Sequence, residues 1–167
     1  LCQNAITSFT DLSAPPSGDV ISSWKWNFSN NTTATQQNPS TVFTSLGTVS
    51  AALKITTNRG CTDSLYKTFT VYKRPKAGFY NLLACSGNPT TFVDTSRAGS
   101  GTLSTYFWNF AGLGSSNNTT PVFSFPDVAT YNVFHQVTNS YGCTDTITRS
   151  VFINPSPVSN FSFDSVC

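Results

Sequence analysis

The five cysteines are the residues of this sequence whose chemistry depends most clearly on their spacing. They are Cys2, Cys61, Cys85, Cys143 and Cys167. No two of them have the Cys-x-x-Cys spacing that zinc sites commonly use, so zinc binding is not indicated. Only 10% of the residues are charged, and cysteines in such a charge-poor chain favour the disulfide bonds of a secreted protein.

Side chains suited to catalysis are scarce in this sequence. His135 is the only histidine, and all seven acidic residues are aspartates. No second histidine or glutamate completes a triad or a metal cluster, and no glycine-rich phosphate loop joins a strand to a helix. Strand alternation places His135 on the face of Tyr131 and Val133, which predicts a core or sheet-edge residue. We therefore predict no catalytic residue, no metal, no cofactor and no enzyme activity.

Two short aromatic strands, residues 24–28 and 106–110, must organise the fold. Successive side chains of an extended strand point to opposite faces, so every second residue shares a face. The residues predicted to form the two core faces are Trp24, Trp26 and Phe28, and Tyr106, Trp108 and Phe110. Phe107 points to the opposite face and is the predicted candidate for an exposed ligand contact.

The two aromatic strands mark an internal repeat. Trp26 and Trp108 are 82 residues apart. The same spacing separates Cys61 from Cys143, Pro39 from Pro121, Pro75 from Pro157, Phe79 from Phe161, and Cys85 from Cys167. A spacing of 83 residues separates Cys2 from Cys85, Phe9 from Phe92, and Asp11 from Asp94. A fixed period with coincident markers indicates tandem domains.

The repeat also predicts the domain boundaries. Residues 1–74 are expected to form a first domain whose first strand is missing ahead of Leu1. Residues 75–156 are expected to form a second domain. Residues 157–167 copy residues 75–85, so they are predicted to be the first strand of a third repeat. The chain is thus expected to be a mature fragment of a longer protein.

The second domain shows short strands at even spacing. The predicted strands are residues 77–83, 90–94, 105–110, 122–125, 130–138 and 144–153. Turn-rich segments separate these strands, a pattern typical of an immunoglobulin-like sandwich. The predicted fold class is all-β, with two tandem immunoglobulin-like β-sandwiches joined end to end by short Pro-containing linkers.

The residues around the aromatic strands resemble the polycystic kidney disease (PKD) domain family. Its hallmark is a Trp-Asp-Phe-Gly-Asp-Gly strand and turn, followed by Pro-x-x-x-Tyr and Gly-x-Tyr-x-Val segments. The matching residues here are Trp26-Asn27-Phe28, Trp108-Asn109-Phe110, Pro39 with Phe43, Pro121 with Phe125, and Ala129-Thr130-Tyr131-Asn132-Val133. The resemblance implies PKD-type sandwiches. The paired cysteines and Pro linkers are similar to the variant in secreted surface proteins of gliding or type IX-secreting Bacteroidetes.

Some bacterial members of that family bind calcium, but this sequence departs from the family's pattern. Asn27 and Asn109 replace the hallmark Asp, and neither repeat keeps the Gly-Asp-Gly turn. A calcium site needs several clustered oxygen ligands, whereas the remaining aspartates are scattered along the chain. Calcium is therefore not predicted.

The cysteines allow more than one disulfide pairing. In an immunoglobulin strand order, Cys85 and Cys143 lie at opposite ends of a strand of about seven residues, roughly 23 Å apart. Disulfide-bonded Cα atoms must approach to within about 7 Å, which favours a bond between adjacent repeats, from Cys2 to Cys143. Cys61 would then pair with a preceding repeat, and Cys85 and Cys167 with following ones. Pairing within each repeat (Cys2–Cys61 and Cys85–Cys143) and free thiols stay open as alternatives.

Charge and hydropathy limit the partners of this chain. A net charge of +2, with one basic cluster at residues 73–76, does not favour nucleic acid. No apolar run approaches the ~20 residues of a membrane helix, so no membrane span is predicted in this fragment.

Three short motifs are candidate sites of O-glycosylation. The Asp-Ser/Thr-apolar sequences at Ser64, Thr146 and Ser165 are similar to the motif that Bacteroidetes glycosylate. We expect modification at these hydroxyls if the source carries that pathway.

These features predict a non-catalytic structural or adhesive segment of a long extracellular cell-surface protein or filament. Its predicted partners are neighbouring repeats of the same chain, and disulfides would stiffen it. The alternative is an accessory module of a secreted protein or hydrolase. Such a module would bind surface glycans or proteins through Phe107 or the loops at residues 30–37 and 112–120.

Overall fold

The computed structural model describes residues 1–163, and β-strands are the only regular secondary structure in that range. The first repeat contains β1 (Ile6–Ser8), β2 (Ile21–Phe28), β3 (Thr33–Ala34), β4 (Ser40–Val42), β5 (Gly47–Thr57) and β6 (Thr62–Val71). The second contains β7 (Phe79–Leu82), β8 (Pro89–Asp94), β9 (Leu103–Phe110), β10 (Ser115–Ser116), β11 (Val122–Ser124), β12 (Thr130–Asn139) and β13 (Thr144–Phe152). The predicted all-β class is confirmed.

The chain divides into two compact units. The first unit contains Leu1–Arg74, Gly99–Thr102 and Asn139–Cys143, and the second contains Pro75–Ala98, Leu103–Thr138 and the residues from Thr144 onward. The division near Pro75 follows the sequence repeat, but two loops of the second repeat lie within the first unit. That exchange of loops was not predicted from the repeat.

The second unit is a sandwich of two antiparallel sheets. One sheet has the strand order β10-β9-β12-β13, and the other has the order β11-β8-β7. Side chains from both sheets meet in one core, which contains Phe79, Phe92, Trp108, Phe110, Phe125, Val133, Val151 and Ile153. Alternation along β9 turns Trp108 and Phe110 inward and leaves Phe107 outside.

The first unit has the same plan with one strand fewer. Its sheets have the strand orders β3-β2-β5-β6 and β1-β4. The core contains Trp26, Phe28, Phe43, Val49, Ala51, Leu53 and Val71. The smaller sheet therefore has two strands where that of the second unit has three, and β7 is the strand without a counterpart.

The six aromatic residues predicted to line the cores differ in burial. Trp26, Phe28, Trp108 and Phe110 are buried, whereas Trp24 and Tyr106 are only half-buried. Trp24 lies at the rim because its Nε1 donates a hydrogen bond to Asp11 Oδ2 at 2.7 Å. Tyr106 lies at the corresponding rim, with its ring centroid 6.5 Å from that of His135.

The main differences between the observed and the predicted strands lie at three places. β7 is shorter than residues 77–83, because Leu83 has a left-handed φ of 44° that ends the strand. The predicted loop at residues 112–120 contains β10, which pairs with β9. Residues 157–163 form no strand, since they pair with no strand among residues 1–163. The rest of that predicted strand, residues 164–167, lies outside the described residues.

Candidate functional site

A disulfide joins Cys2 to Cys143 in the first unit. The two Cα atoms are 5.5 Å apart, and the sulfur atoms are 2.09 Å apart. Disulfide bonding, predicted from the composition, is thereby confirmed. The bonded residues are 141 positions apart and come from different sequence repeats.

One asparagine side chain holds the turn that carries Cys143. Asn139 is buried, and its Oδ1 accepts hydrogen bonds from the backbone N–H groups of Tyr141 and Cys143 at 3.1 and 3.0 Å. Its Nδ2 donates to the carbonyl of Lys73 at 3.1 Å. An asparagine can do both because its amide carries an acceptor and two donors. The turn is therefore fixed to the end of the first repeat by hydrogen bonds as well as by the disulfide.

Close packing around the same turn adds to these bonds. The rings of Tyr72 and Tyr141 stack with centroids 3.7 Å apart and an interplanar angle of 8°. A Cβ on Gly99 would lie 2.1 Å from the carbonyl oxygen of Arg74, and Gly99 has a φ of 72°. Only glycine fits this position. The turn that carries the disulfide is therefore closely packed against the end of the first repeat.

Two of the other cysteines are free thiols in the structure. Cys61 is exposed and Cys85 is half-buried. The alternative pairing within each repeat is not adopted, because Cys143 is bonded to Cys2. Bonds from Cys61 and Cys85 to neighbouring repeats stay predictions. Cys167 lies outside the described residues.

A buried polar cluster around His135 was missed by the sequence analysis. His135 is fully buried, and its Nε2 lies 3.0 Å from Asp94 Oδ1 and 3.5 Å from Ser96 Oγ. Ser96 donates its backbone N–H and its hydroxyl to Asp94. The Asp-x-Ser spacing at the end of β8 is the signal that could have revealed this turn.

The cluster has the residue types of a catalytic triad but not its geometry. In a triad, the aspartate binds one ring nitrogen of the histidine and the serine faces the other. Here Asp94 and Ser96 both face Nε2, while Nδ1 lies 3.3 Å from the carbonyl oxygen of Phe107. The imidazole also stacks on Trp108 with ring centroids 3.7 Å apart. This arrangement connects β8, β9 and β12 and does not activate a nucleophile.

Phe107, the predicted contact residue, is 38% exposed on the outer face of β9. Its ring stands edge-on to that of Phe134, with centroids 6.3 Å apart. A recess of about 440 Å³ adjoins it and is lined by Ser104, Thr105, Tyr106, Phe107 and Asn117. An apolar ring beside hydroxyl and amide groups is chemistry that suits a sugar or a peptide.

The residues with candidate O-glycosylation motifs are accessible where the structure describes them. Ser64 lies exposed on β6, and Thr146 lies exposed on β13. Ser165 lies outside the described residues. Modification of these hydroxyls stays a prediction.

An apolar groove of about 540 Å³ opens onto the core of the first unit. Residues 7–14 form one wall, and the opposite wall comes from β5 and β6. Phe9, Trp26, Leu53 and Phe69 line its interior, and Asp63 and Lys67 are its charged members on β6. Phe9 and Phe69 are half-buried, whereas Phe92 and Val151 at the same positions of the second repeat are buried. The core of the first unit is therefore open on one side.

Asp11, on the wall of the groove, collects several hydrogen bonds. Ser13 N–H donates to Oδ1 at 3.0 Å, and Trp24 Nε1 and Gln37 Nε2 donate to Oδ2 at 2.7 and 3.3 Å. Burial alone would raise the pKa of the Asp11 carboxyl, but the hydrogen bonds outweigh it and hold that pKa below its usual value. The first unit therefore favours the ionised carboxylate.

We expect the first unit to lose stability in acid through Asp11. Because the folded pKa is lower than the unfolded one, the stabilisation is present above the unfolded value of about 3.9 and is lost as pH falls through the folded value. Urea unfolding of wild type and Asp11→Asn from about pH 6 to about pH 3 should show the larger fall in wild type. Asp127→Asn, at an exposed position of the second unit, is the control. Parallel pH curves for wild type and Asp11→Asn would contradict the assignment.

Residues 1–163 contain neither a cluster of metal-binding side chains nor a helix that could span a membrane. No three His, Cys, Asp or Glu side chains in this range are grouped so that they could hold a metal ion. The same range contains no helix of the length and hydropathy that crossing a bilayer requires.

Comparison with known proteins supports PKD-type domains. Residues 1–72 match the family model of the PKD domain. PKD domains are generally non-catalytic modules of secreted proteins, and together with the disulfide the match indicates an extracellular protein. No curated protein matches this chain.

Solved structures give the fold. The PKD1 domain of Vibrio anguillarum Epp is 25% identical over 51% of this chain and 99% of its own, with a TM-score of 0.48. The PKD1 domain from the Vibrio cholerae metalloprotease PrtV is 23% identical over 48% and 98%, with a TM-score of 0.45. The fibronectin(III)-like modules of Clostridium thermocellum CbhA are 9% identical over 98% and 93%, with a TM-score of 0.50. The predicted immunoglobulin-like sandwiches are confirmed.

Proposed function

We propose that this chain is a non-catalytic structural segment of a longer extracellular surface protein, filament or adhesin. The observation that carries the proposal is the bond between Cys2 and Cys143, which ties one sequence repeat to the next. A short Pro-containing linker alone leaves successive domains free to reorient. A covalent tie at the same point restrains that motion, and such restraint benefits a protein that must hold its length.

The repeated cysteine positions extend this proposal along the chain. Cys85 stands at the position of Cys2, and Cys61 stands at the position of Cys143. Each would form the same bond with a neighbouring repeat of a longer chain. The exposed thiol of Cys61 is accessible to such a partner.

The test compares the bending of the oxidised chain with that of a chain carrying Cys2→Ser and Cys143→Ser. Small-angle scattering of the oxidised chain should give one narrow distribution of maximum dimension, and the double variant should give a broader one. Cys61→Ser removes a free thiol and is the matched control. Equal distributions for all three proteins would overturn the stiffening role.

The cellular location has its own test. Antibodies against this chain should label intact cells of the source organism. Labelling that appears only after the cells are broken open would exclude the surface role, whatever the scattering shows.

A second candidate function is the binding of surface glycans or proteins, which the exposed Phe107 and its adjoining recess favour. On a glycan array, wild type should bind at least one saccharide that Phe107→Ala binds about tenfold less well, since a stacked ring contributes ~1 kcal/mol or more. Phe152→Ala, which removes an exposed ring from outside the recess, is the control. Equal binding by all three proteins would exclude this face.

A further inference from the structure

Two lysines stand side by side on the outer face of the first unit. Lys25 on β2 and Lys54 on β5 lie directly opposite each other in the antiparallel pairing, and both are exposed. Directly opposite residues on one face of a sheet have Cβ atoms about 5 Å apart, and like charges at such positions destabilise the sheet. The two ammonium groups therefore repel each other, and a bound anion would relieve that repulsion.

No carboxylate on the same face neutralises the two lysines. Strand alternation gives this face the even-numbered residues of β5 and β6 and residues 23, 25 and 27 of β2, and the two lysines are its only charged members. Asp63 of β6 pairs with Ile55 and lies on the opposite side, where it lines the groove. Among residues 1–163, neither lysine lies within salt-bridge distance of a carboxylate. This surface, here called the lysine face, is therefore purely cationic.

An aromatic ring and an amide lie beside the lysines on this face. Asn27 of β2 and Tyr66 of β6 both pair with Ala52, which is two residues from Lys54 along β5. Tyr66 is 65% exposed, and Asn27 is exposed as well. Because Ala52 is small, the surface between them is shallow and open. An exposed phenol ring beside an amide is chemistry that suits the apolar face and the hydroxyls of a sugar ring.

The strand that the first repeat lacks would not cover the lysine face. In the second unit that strand is β7, which pairs with β8 in the other sheet of the sandwich. The counterpart of the lysine face is the outer face of β9, β12 and β13, where Phe107 is exposed although β7 is in place. The exposure of Lys25 and Lys54 is therefore a property of the sheet to which they belong.

We propose that the lysine face binds an anionic polysaccharide built from uronic acids. Each ammonium group pairs with a carboxylate of the polymer, and Tyr66 packs against the sugar ring between them. An open sheet face suits an extended polymer that lies across the strands, whereas a bound peptide typically adds to a sheet edge or fills a groove.

The second unit lacks this charge complementarity, because Phe107 and Gln136 stand at the positions of Lys25 and Lys54. The proposed site is thus separate from the recess beside Phe107. The inference does not depend on the proposed structural role.

Binding of polygalacturonate to the oxidised chain tests the need for charge. Lys25→Gln with Lys54→Gln should bind at least about tenfold more weakly than wild type, because two ion pairs are lost. Lys25→Arg with Lys54→Arg keeps both charges and should bind at least as well as wild type. The matched control is Lys67→Gln with Lys73→Gln, which removes the same net charge from exposed positions outside the lysine face. Equal weakening by both glutamine pairs, or no binding of polygalacturonate by wild type, would overturn the proposal.

Two further polymers separate recognition of a sugar from attraction of charge alone. Methyl-esterified polygalacturonate keeps the sugar rings without the carboxylates, and wild type should bind it at least about tenfold more weakly. Polyphosphate has charges without sugar rings. Tyr66→Ala should weaken the binding of polygalacturonate about fivefold and leave that of polyphosphate unchanged. If polyphosphate bound as tightly as polygalacturonate and Tyr66→Ala bound both like wild type, the assignment to a polysaccharide would be wrong.

Urea unfolding without ligand checks the repulsion between the two lysines. Lys25→Gln with Lys54→Gln should unfold at the same or a higher urea concentration than wild type, because it removes two like charges from opposite positions. The same measurement shows that weaker binding by this variant does not come from misfolding. A clearly lower midpoint would contradict the unneutralised charge pair on which the proposed site depends.

Discussion

Loss of the bond between Cys2 and Cys143 should lower the free energy of unfolding of the first unit by about 2 to 5 kcal/mol. The bond closes a loop with a sequence separation of 141 residues. In the chain-entropy account, a loop of that length restricts the unfolded state by an amount equivalent to about 5 kcal/mol. The lower bound applies if the unfolded chain keeps residual structure.

Urea unfolding of wild type and of the variant with both Cys2→Ser and Cys143→Ser measures this effect. Trp24 and Trp26 lie in the first unit and Trp108 lies in the second, so all chains carry Trp108→Phe and tryptophan fluorescence then reports the first unit. Cys61→Ser should unfold like wild type, because Cys61 is exposed and has no disulfide. An unchanged midpoint in the double variant would mean that the Asn139 hydrogen bonds and the Tyr72–Tyr141 stack hold the turn without the disulfide.

The architecture was predictable because it depends on period and alternation. The 82-residue spacing from Trp26 to Trp108 and the every-second-residue aromatics define two sandwiches without any knowledge of contacts. Strand ends were less predictable, since they depend on single dihedral angles. Leu83 shows this, because its left-handed φ shortens β7 and leaves no mark in the sequence pattern.

The polar contacts at the rim of each core could not be predicted, because they join residues far apart in sequence. Asp11 and Asp94 stand at the same position of the two repeats but have different partners. Asp94 is bound by His135, whereas Asp11 is bound by Trp24 Nε1.

Exchange of residue types at two other positions explains this difference. The first repeat has Leu53 where the second has His135, so it has no imidazole beside the aspartate. It has Trp24 where the second has Tyr106, and the indole N–H supplies the donor instead. Each repeat therefore places a nitrogen-containing ring beside this aspartate, and the two rings come from different strands, Trp24 from β2 and His135 from β12. Aligning the two repeats shows that these residue types are exchanged. Only the structure shows that both rings contact the aspartate.

The groove of the first unit also could not be predicted from composition or from residue spacing. The repeat predicts that residues 1–74 contain no counterpart of the strand at residues 77–83, but the consequences for burial depend on three-dimensional packing. Leu65 of the first unit is 56% exposed, whereas Ile147 at the same position of the second repeat is half-buried against the core. The same residue types thus differ in exposure because one sheet has its third strand and the other does not.

That difference leads to the second large prediction, a comparison of Trp108→Ala with Trp26→Ala. Trp108 is fully buried, its ring stacks on His135, and its Nε1 donates to the carbonyl of Asn118 at 2.9 Å. Removing it leaves a large cavity in a fully buried core, so Trp108→Ala should lower the stability of the second unit by about 3–5 kcal/mol. Calorimetry of each variant, with the disulfide intact, measures the loss.

Trp26→Ala should cost the first unit less, about 2–3 kcal/mol. Trp26 already borders the open groove, and its Nε1 has no hydrogen-bond partner among residues 1–163. The surroundings can relax into the space that its removal creates, and no bonded acceptor is lost. Trp108→Phe, which keeps an aromatic ring against His135, should recover more than half of the loss seen with Trp108→Ala. Equal losses for Trp26→Ala and Trp108→Ala would show that the two cores are equally closed, and would contradict the open groove beside Trp26.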